Sequence, residues 1–149
     1  MYKKKLNIII LLIIKKMFQK SKKKNPLIII IGNSKKFITI VRSIYKNSFI
    51  KVYSWRSLID INYNQQKKFK NPNLIIICGY DYNSHWYSYK DYYKSNISEP
   101  IKFVNFLANP KTKILYIDTL KKVLNSNSKK NRFTFSRYEY AKKELGFNL

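Results

Sequence analysis

The sequence predicts an α/β protein: a parallel sheet of buried strands with helices packed on both of its faces. Three observations predict it. Short β-branched runs recur along the chain, and they are apolar throughout rather than alternating, as strands covered on both sides require. Between them lie stretches whose apolar residues fall at helical spacing. Each run closes on small or polar turn residues. Strand, helix and strand in succession imply right-handed crossovers between parallel neighbours. At 149 residues and 45% hydrophobic composition, the chain has room for one domain with a substantial core.

The regular pattern starts at Asn25. "NPLIIIIGNS" reads as a buried strand stopped by Gly32, Asn33 and Ser34. "SKKFITIVRSIYKN" follows as a helix, with Phe37, Val41, Ile44 and Tyr45 on one face and Ser34 placed to cap it. "SFIKVYSW" returns to strand character, and Arg56 stands just past its end. "LIDINYN" reads as a further short strand and "QQKKFK" as a solvated loop. "NPNLIIICGYD" repeats the first signal, with an apolar run from Leu74 to Cys78 and then Gly79. After a polar, aromatic loop comes a helix carrying Ile97, Ile101, Val104 and Leu107; Pro100 inside it must kink the helix or lie in its first turn. "TKILYIDT" is another buried strand, and "SRYEYAKKELG" a last short helix closed by Gly146.

Composition narrows the function classes. The formal charge is +24, yet arginine occurs only at 42, 56, 132 and 137 among 31 basic residues. Two sources of this charge stand open. Drift toward A/T-rich codons enriches Lys, Asn, Ile, Tyr and Phe together, whereas a polyanion partner would select charge directly. A dedicated RNA binder more often uses Arg, whose planar fork matches phosphate and base edges. Cys78 is the sole cysteine and His85 the sole histidine, which excludes a disulfide framework, a thiolate zinc site and a Ser-His-Asp triad.

Residues 1–24 form a basic and apolar extension ahead of the domain at 25–149. Its apolar stretch, Leu6 to Ile14, falls short of the roughly twenty residues that span a bilayer. No small-residue cleavage site follows it. The expectation is a cytoplasmic protein with a leader, a membrane-surface anchor being the lesser alternative.

In parallel sheets of this kind ligands bind beyond the carboxyl ends of the strands. Those ends carry Gly32-Asn33-Ser34, Ser54-Trp55-Arg56, Gly79-Tyr80-Asp81 and Asp118-Thr119. Beyond them, Tyr138 and Lys142 stand four apart in a helical stretch and therefore share a face.

This order of features resembles the extended short-chain dehydrogenase/reductases, whose members include nucleotide-sugar epimerases and dehydratases. It runs from strand, glycine turn and helix, through strand–Arg, strand–Cys-Gly and Asn96 in the next helix, to "YIDT" and Tyr-x-x-x-Lys. The resemblance covers about residues 26 to 149 and implies a Rossmann-like NAD(P)-binding fold, incomplete at its C-terminal side. It implies that Tyr138 is the general acid/base and that Lys142 binds the nicotinamide ribose. A neighbouring ammonium favours the phenolate, bringing a phenol of ordinary pKa about 10 toward working pH. Thr119 would hydrogen-bond the reacting oxygen of a nucleotide-sugar or related carbonyl substrate. Gly32, Asn33, Ser34, Cys78 and Gly79 would line the cofactor, with hydride transfer belonging to the cofactor itself. Arg56 would meet a 2′-phosphate and so favour NADP over NAD.

The sequence departs from the family in two places. Of the fingerprint Gly-x-x-Gly-x-x-Gly it keeps Gly32, with Lys35 and Lys36 near the second glycine position and Ile38 or Thr39 near the third. It also ends after the Tyr-x-x-x-Lys helix, where the family continues into a substrate-holding half. The expectation is a truncated or degenerate relative, with a second polypeptide as the source of the substrate domain. The alternative is a nonenzymatic basic α/β protein that binds RNA or the ribosome, stacking bases on the tyrosines between Tyr80 and Tyr93.

Overall fold

In the computed structural model the described residues are 25–79, 81, 88–117, 144–146 and 149. They form a four-stranded, all-parallel sheet with helices on both faces. The strands are β1 (Leu27–Ile31), β2 (Phe49–Tyr53), β3 (Leu74–Cys78) and β4 (Lys113–Ile117). Their order across the sheet is β2-β1-β3-β4. Register is unbroken: Ile30 sits opposite Val52 on one side and Ile76 on the other, and Ile76 opposite Leu115.

β1 and β3 occupy the centre, which explains their composition. Ile28 through Ile31 and Leu74 through Ile77 are fully buried, so each strand packs both of its faces. At roughly 1.5–3 kcal/mol for a fully buried aliphatic side chain, these two strands supply much of the hydrophobic driving force. The outer strands are only partly buried, and they carry the lysines Lys51 and Lys113.

The period of two along each strand separates two cores. On one face Ile28, Ile30, Leu74, Ile76 and Cys78 meet α1 (Lys35–Ile44), which contributes Val41, with Tyr45 just beyond its end. Phe37, Ile38 and Ile44 complete that packing, close to the helical face predicted from spacing. On the other face Ile29, Ile31, Ile75 and Ile77 meet Leu58, Phe103, Val104, Leu107 and Leu145.

The segment between β2 and β3 corrects one expectation. Residues 58–61 do not form a strand. A 3₁₀ turn at Arg56–Leu58 leads into a short helix, α2 (Tyr63–Gln66), and a second 3₁₀ turn, Lys67–Phe69, follows. The reason is local. The Asn62 side chain accepts hydrogen bonds from the N–H groups of Asn64 and Gln65, capping a helical turn where a strand would have begun. The chain then passes β1 and enters β3 beside it. "QQKKFK", expected as a loop, is accordingly helical over most of its length. An aromatic edge contact fastens this segment, with Tyr63 4.9 Å from Phe106, ring to ring, while Tyr53 at the end of β2 lies 4.8 Å from Phe103.

From Tyr89 to Leu107 the chain is helical without a break, as α3 (Tyr89–Tyr93), a π-helical segment (Lys94–Ser98) and α4 (Glu99–Leu107). Pro100 stands in the first turn of α4, directly after the π segment. A proline lacks the N–H that would complete the ladder there, and the wider π turn accommodates the gap. Residues 144–146 are helical and include Gly146, so the helix does not close before that glycine. The rest of that predicted helix lies outside the described residues.

Candidate functional site

Parallel alignment brings the carboxyl ends of all four strands to one edge of the sheet. The chain turns from β1 outward to β2, then crosses back to β3 and continues to β4. The direction of progress therefore reverses between β1 and β3, the place where open α/β sheets hold ligands.

Gly32 ends β1 at this point. It is buried, its φ is +142°, and its N–H donates to the Tyr53 carbonyl at 2.8 Å, adding a rung to the β1–β2 ladder. A Cβ on Gly32 would lie 2.5 Å from both the carbonyl oxygen and Sγ of Cys78. The glycine is required here because the end of β3 presses against the end of β1.

Trp55 locks the same edge. Its indole N–H donates to the Cys78 carbonyl at 3.1 Å, and the side chain is almost wholly buried. Because β1 lies between β2 and β3, this bond reaches from the end of one flanking strand to the end of the other. Gly79 follows, exposed and left-handed at φ +75°, and a Cβ there would meet only Trp55 Nε1 at 3.9 Å.

Past β3, Asp81 is buried and receives Arg56 Nε at 3.5 Å from its Oδ1; the Arg56 side chain is half-exposed. The backbone N–H of Asp81 donates to Asn96 Oδ1 at 2.9 Å. Asn96, in the π segment, donates in turn to the Tyr92 carbonyl at 3.1 Å and to Ser95 Oγ at 3.0 Å. The distorted helix thus presents an amide that pins the turn after β3, and the ion pair ties that turn to the end of β2.

Asn33 and Ser34 are exposed at the start of α1. Ser34 has the extended backbone of an N-cap but makes no side-chain capping hydrogen bond. Lys35 and Lys36 follow, also exposed, and no acid lies in the first turn. This end of the helix has outward N–H groups and positive charge.

Of the residues singled out in the sequence, Gly32, Asn33, Ser34, Arg56, Cys78 and Gly79 stand together at this edge. Thr119, Tyr138 and Lys142 lie outside the described residues. Sequence reading did not single out Trp55 as a bridge or Asp81 as the partner of Arg56. A signal for Asp81 was present: it is one of seven acids in the chain and closely follows a buried strand. Among the described residues no group of three or more His, Cys, Asp or Glu side chains is placed to hold a metal ion. Among those residues, too, no helix is long and apolar enough to cross a membrane.

Comparison of the chain with family models, with curated proteins and with solved structures returns no match.

Proposed function

We propose that this chain is a nucleotide-binding α/β domain of the NAD(P) class, taking its ligand across the β1/β3 edge and acting on a nucleotide sugar or a related carbonyl compound. One observation carries the reading: the strand order reverses at the point where Gly32, Gly79 and the start of α1 come together.

The described residues suit a phosphate-bearing ligand. The exposed N-terminus of α1, with Asn33, Ser34, Lys35 and Lys36, offers N–H groups and charge to a pyrophosphate. Gly79 is exposed and keeps the end of β3 free of a side chain, its one near neighbour there being Trp55 Nε1. The flank of Gly32 toward β3 is filled by Cys78, so the phosphates would sit on the α1 side of that glycine. Arg56, half-exposed and paired with Asp81, would in this reading meet the 2′-phosphate of NADP.

Bound nicotinamide would supply hydride transfer. In this reading Tyr138 gives or takes the proton at the substrate oxygen, Lys142 holds the phenol toward its ionised form, and Thr119 orients that oxygen.

Calorimetric titration of the full chain with NADPH and NADH tests the proposal. The expected result is saturable binding of both, tighter for NADPH, with the preference abolished in Arg56→Gln. No saturable binding of either nucleotide below millimolar concentration would defeat it.

A further inference from the structure

A second basic surface lies away from this edge, on the outer strand. Lys51, Asn64, Gln65, Gln66, Lys67, Lys68 and Phe69 line an open groove of about 660 Å³. Its lining contains four amide or aromatic side chains and three lysines, and no acid. Beside it Phe49 is 56% exposed, the largest exposure among the big hydrophobic side chains described. Phe49 is stacked on Phe69, with ring centres 6.0 Å apart and planes 18° from parallel. Lys51 Nζ lies 5.6 Å and Lys68 Nζ 5.3 Å from the centre of the Phe69 ring, and Lys51 Nζ lies 5.5 Å from Tyr53. Lys70 Nζ sits 4.5 Å from the neighbouring Phe106 ring.

An exposed phenylalanine is unfavourable in water and contributes little to this core. Ammonium groups held over ring faces remain outward and available to anions. An exposed ring stacked on a half-buried one, cations beside them and carboxamides along the same groove make the combination that single-stranded nucleic acids meet: bases stack on rings, phosphates pair with cations, and amides reach base edges. A duplex buries its base faces and has no use for Phe49. A lone small anion has no use for it either.

We propose that this groove binds single-stranded nucleic acid, with a base stacked on Phe49 and the backbone tracked by Lys51, Lys67 and Lys68. The site is separate from the β1/β3 edge and stands whether or not that edge binds a dinucleotide.

Fluorescence anisotropy of the full chain with a labelled uridine-rich RNA of about eight nucleotides, a length typical of such sites, tests it. The corresponding DNA strand and a duplex of equal length complete the set. The single strands are expected to bind more tightly than the duplex. Phe49→Ser should weaken single-strand binding about tenfold, the loss of roughly one base–aromatic stack, and Phe49→Tyr should restore it. Lys51→Gln and Lys68→Gln should each lower the salt slope by about 0.7, one phosphate contact apiece. Because Phe49 is exposed, its replacement leaves the fold intact, which circular dichroism checks. If Phe49→Ser binds as the wild type does, or the duplex binds as tightly as the strand, the attraction is charge alone and the proposal fails. Tighter binding to phosphatidylserine vesicles than to either strand, itself dependent on Phe49, would reassign the groove to membranes and equally overturn it.

Discussion

Replacing Gly32 by alanine strikes the point where β1, β2 and β3 meet. The new Cβ would stand 2.5 Å from the Cys78 carbonyl oxygen and Sγ, whereas ordinary contact begins near 3.4 Å. Relief requires a movement of about 0.9 Å, large for a close-packed interior. The sulfur can rotate away; the carbonyl is backbone, and it also accepts the Trp55 indole. Overpacking of this kind costs about 1–3 kcal/mol. Holding alanine at φ +142° adds about 1–3 kcal/mol of strain. Loss of glycine's freedom in the unfolded chain offsets only about 0.4–1 kcal/mol. The destabilising effects win, and Gly32→Ala should lose about 1–6 kcal/mol in a urea titration, a large share of a typical 5–15 kcal/mol. Adding Cys78→Ala should recover no more than part of this, because the carbonyl remains. Gly79→Ala, with no contact shorter than 3.9 Å, should lose only about 1–2 kcal/mol of left-handed strain. A Gly32→Ala protein within 1 kcal/mol of wild type would refute the close approach of β1 and β3.

Asn96→Ala leaves the buried N–H of Asp81 without its acceptor, so stability should fall by about 1–3 kcal/mol and hydrogen exchange at the Asp81 amide should accelerate; unchanged exchange would remove Asn96 from the anchor. The Tyr53 hydroxyl donates to Gln66, and burial pushes its pKa from 10.0 up to about 12. An unfolded tyrosine loses its proton near pH 10 while the folded one keeps it, so the folded state binds more protons in that window and Tyr53 loses its stabilising effect as pH rises. Wild type should exceed Tyr53→Phe by about 1 kcal/mol at neutral pH, and the difference should close and invert between pH 10 and 12, measured by denaturant titration at each pH. A difference constant across that range would contradict the burial of this phenol.

The fold was legible because the central strands announce themselves. Ile28–Ile31 and Leu74–Ile77 are apolar at every position, and only a strand buried on both faces tolerates that. Phe37, Val41, Ile44 and Tyr45 likewise marked the buried face of α1. The segment after β2 misled because "LIDINYN" has the alternation of a strand, while the feature that decides its structure is a single Asn62 cap that turns the chain into a helix. Gly32 was read as a turn residue that stops β1. The structure adds a separate demand for glycine there, the backbone of β3 pressed against it, a contact between residues far apart in sequence that no local pattern encodes. Trp55 reaching Cys78 and Arg56 reaching Asp81 are also tertiary pairings, invisible until the strand order is known.

The most direct test follows backbone amide resonances of the isotope-labelled chain while NADPH is added. If the switch between β1 and β3 is the ligand site, the amides of Gly32, Asn33, Ser34, Lys35 and Gly79 should shift together and saturate, with Lys51 and Phe69 unmoved. Shifts confined to the Lys51–Phe69 groove, or none that saturate, would contradict the assignment of that edge to a dinucleotide.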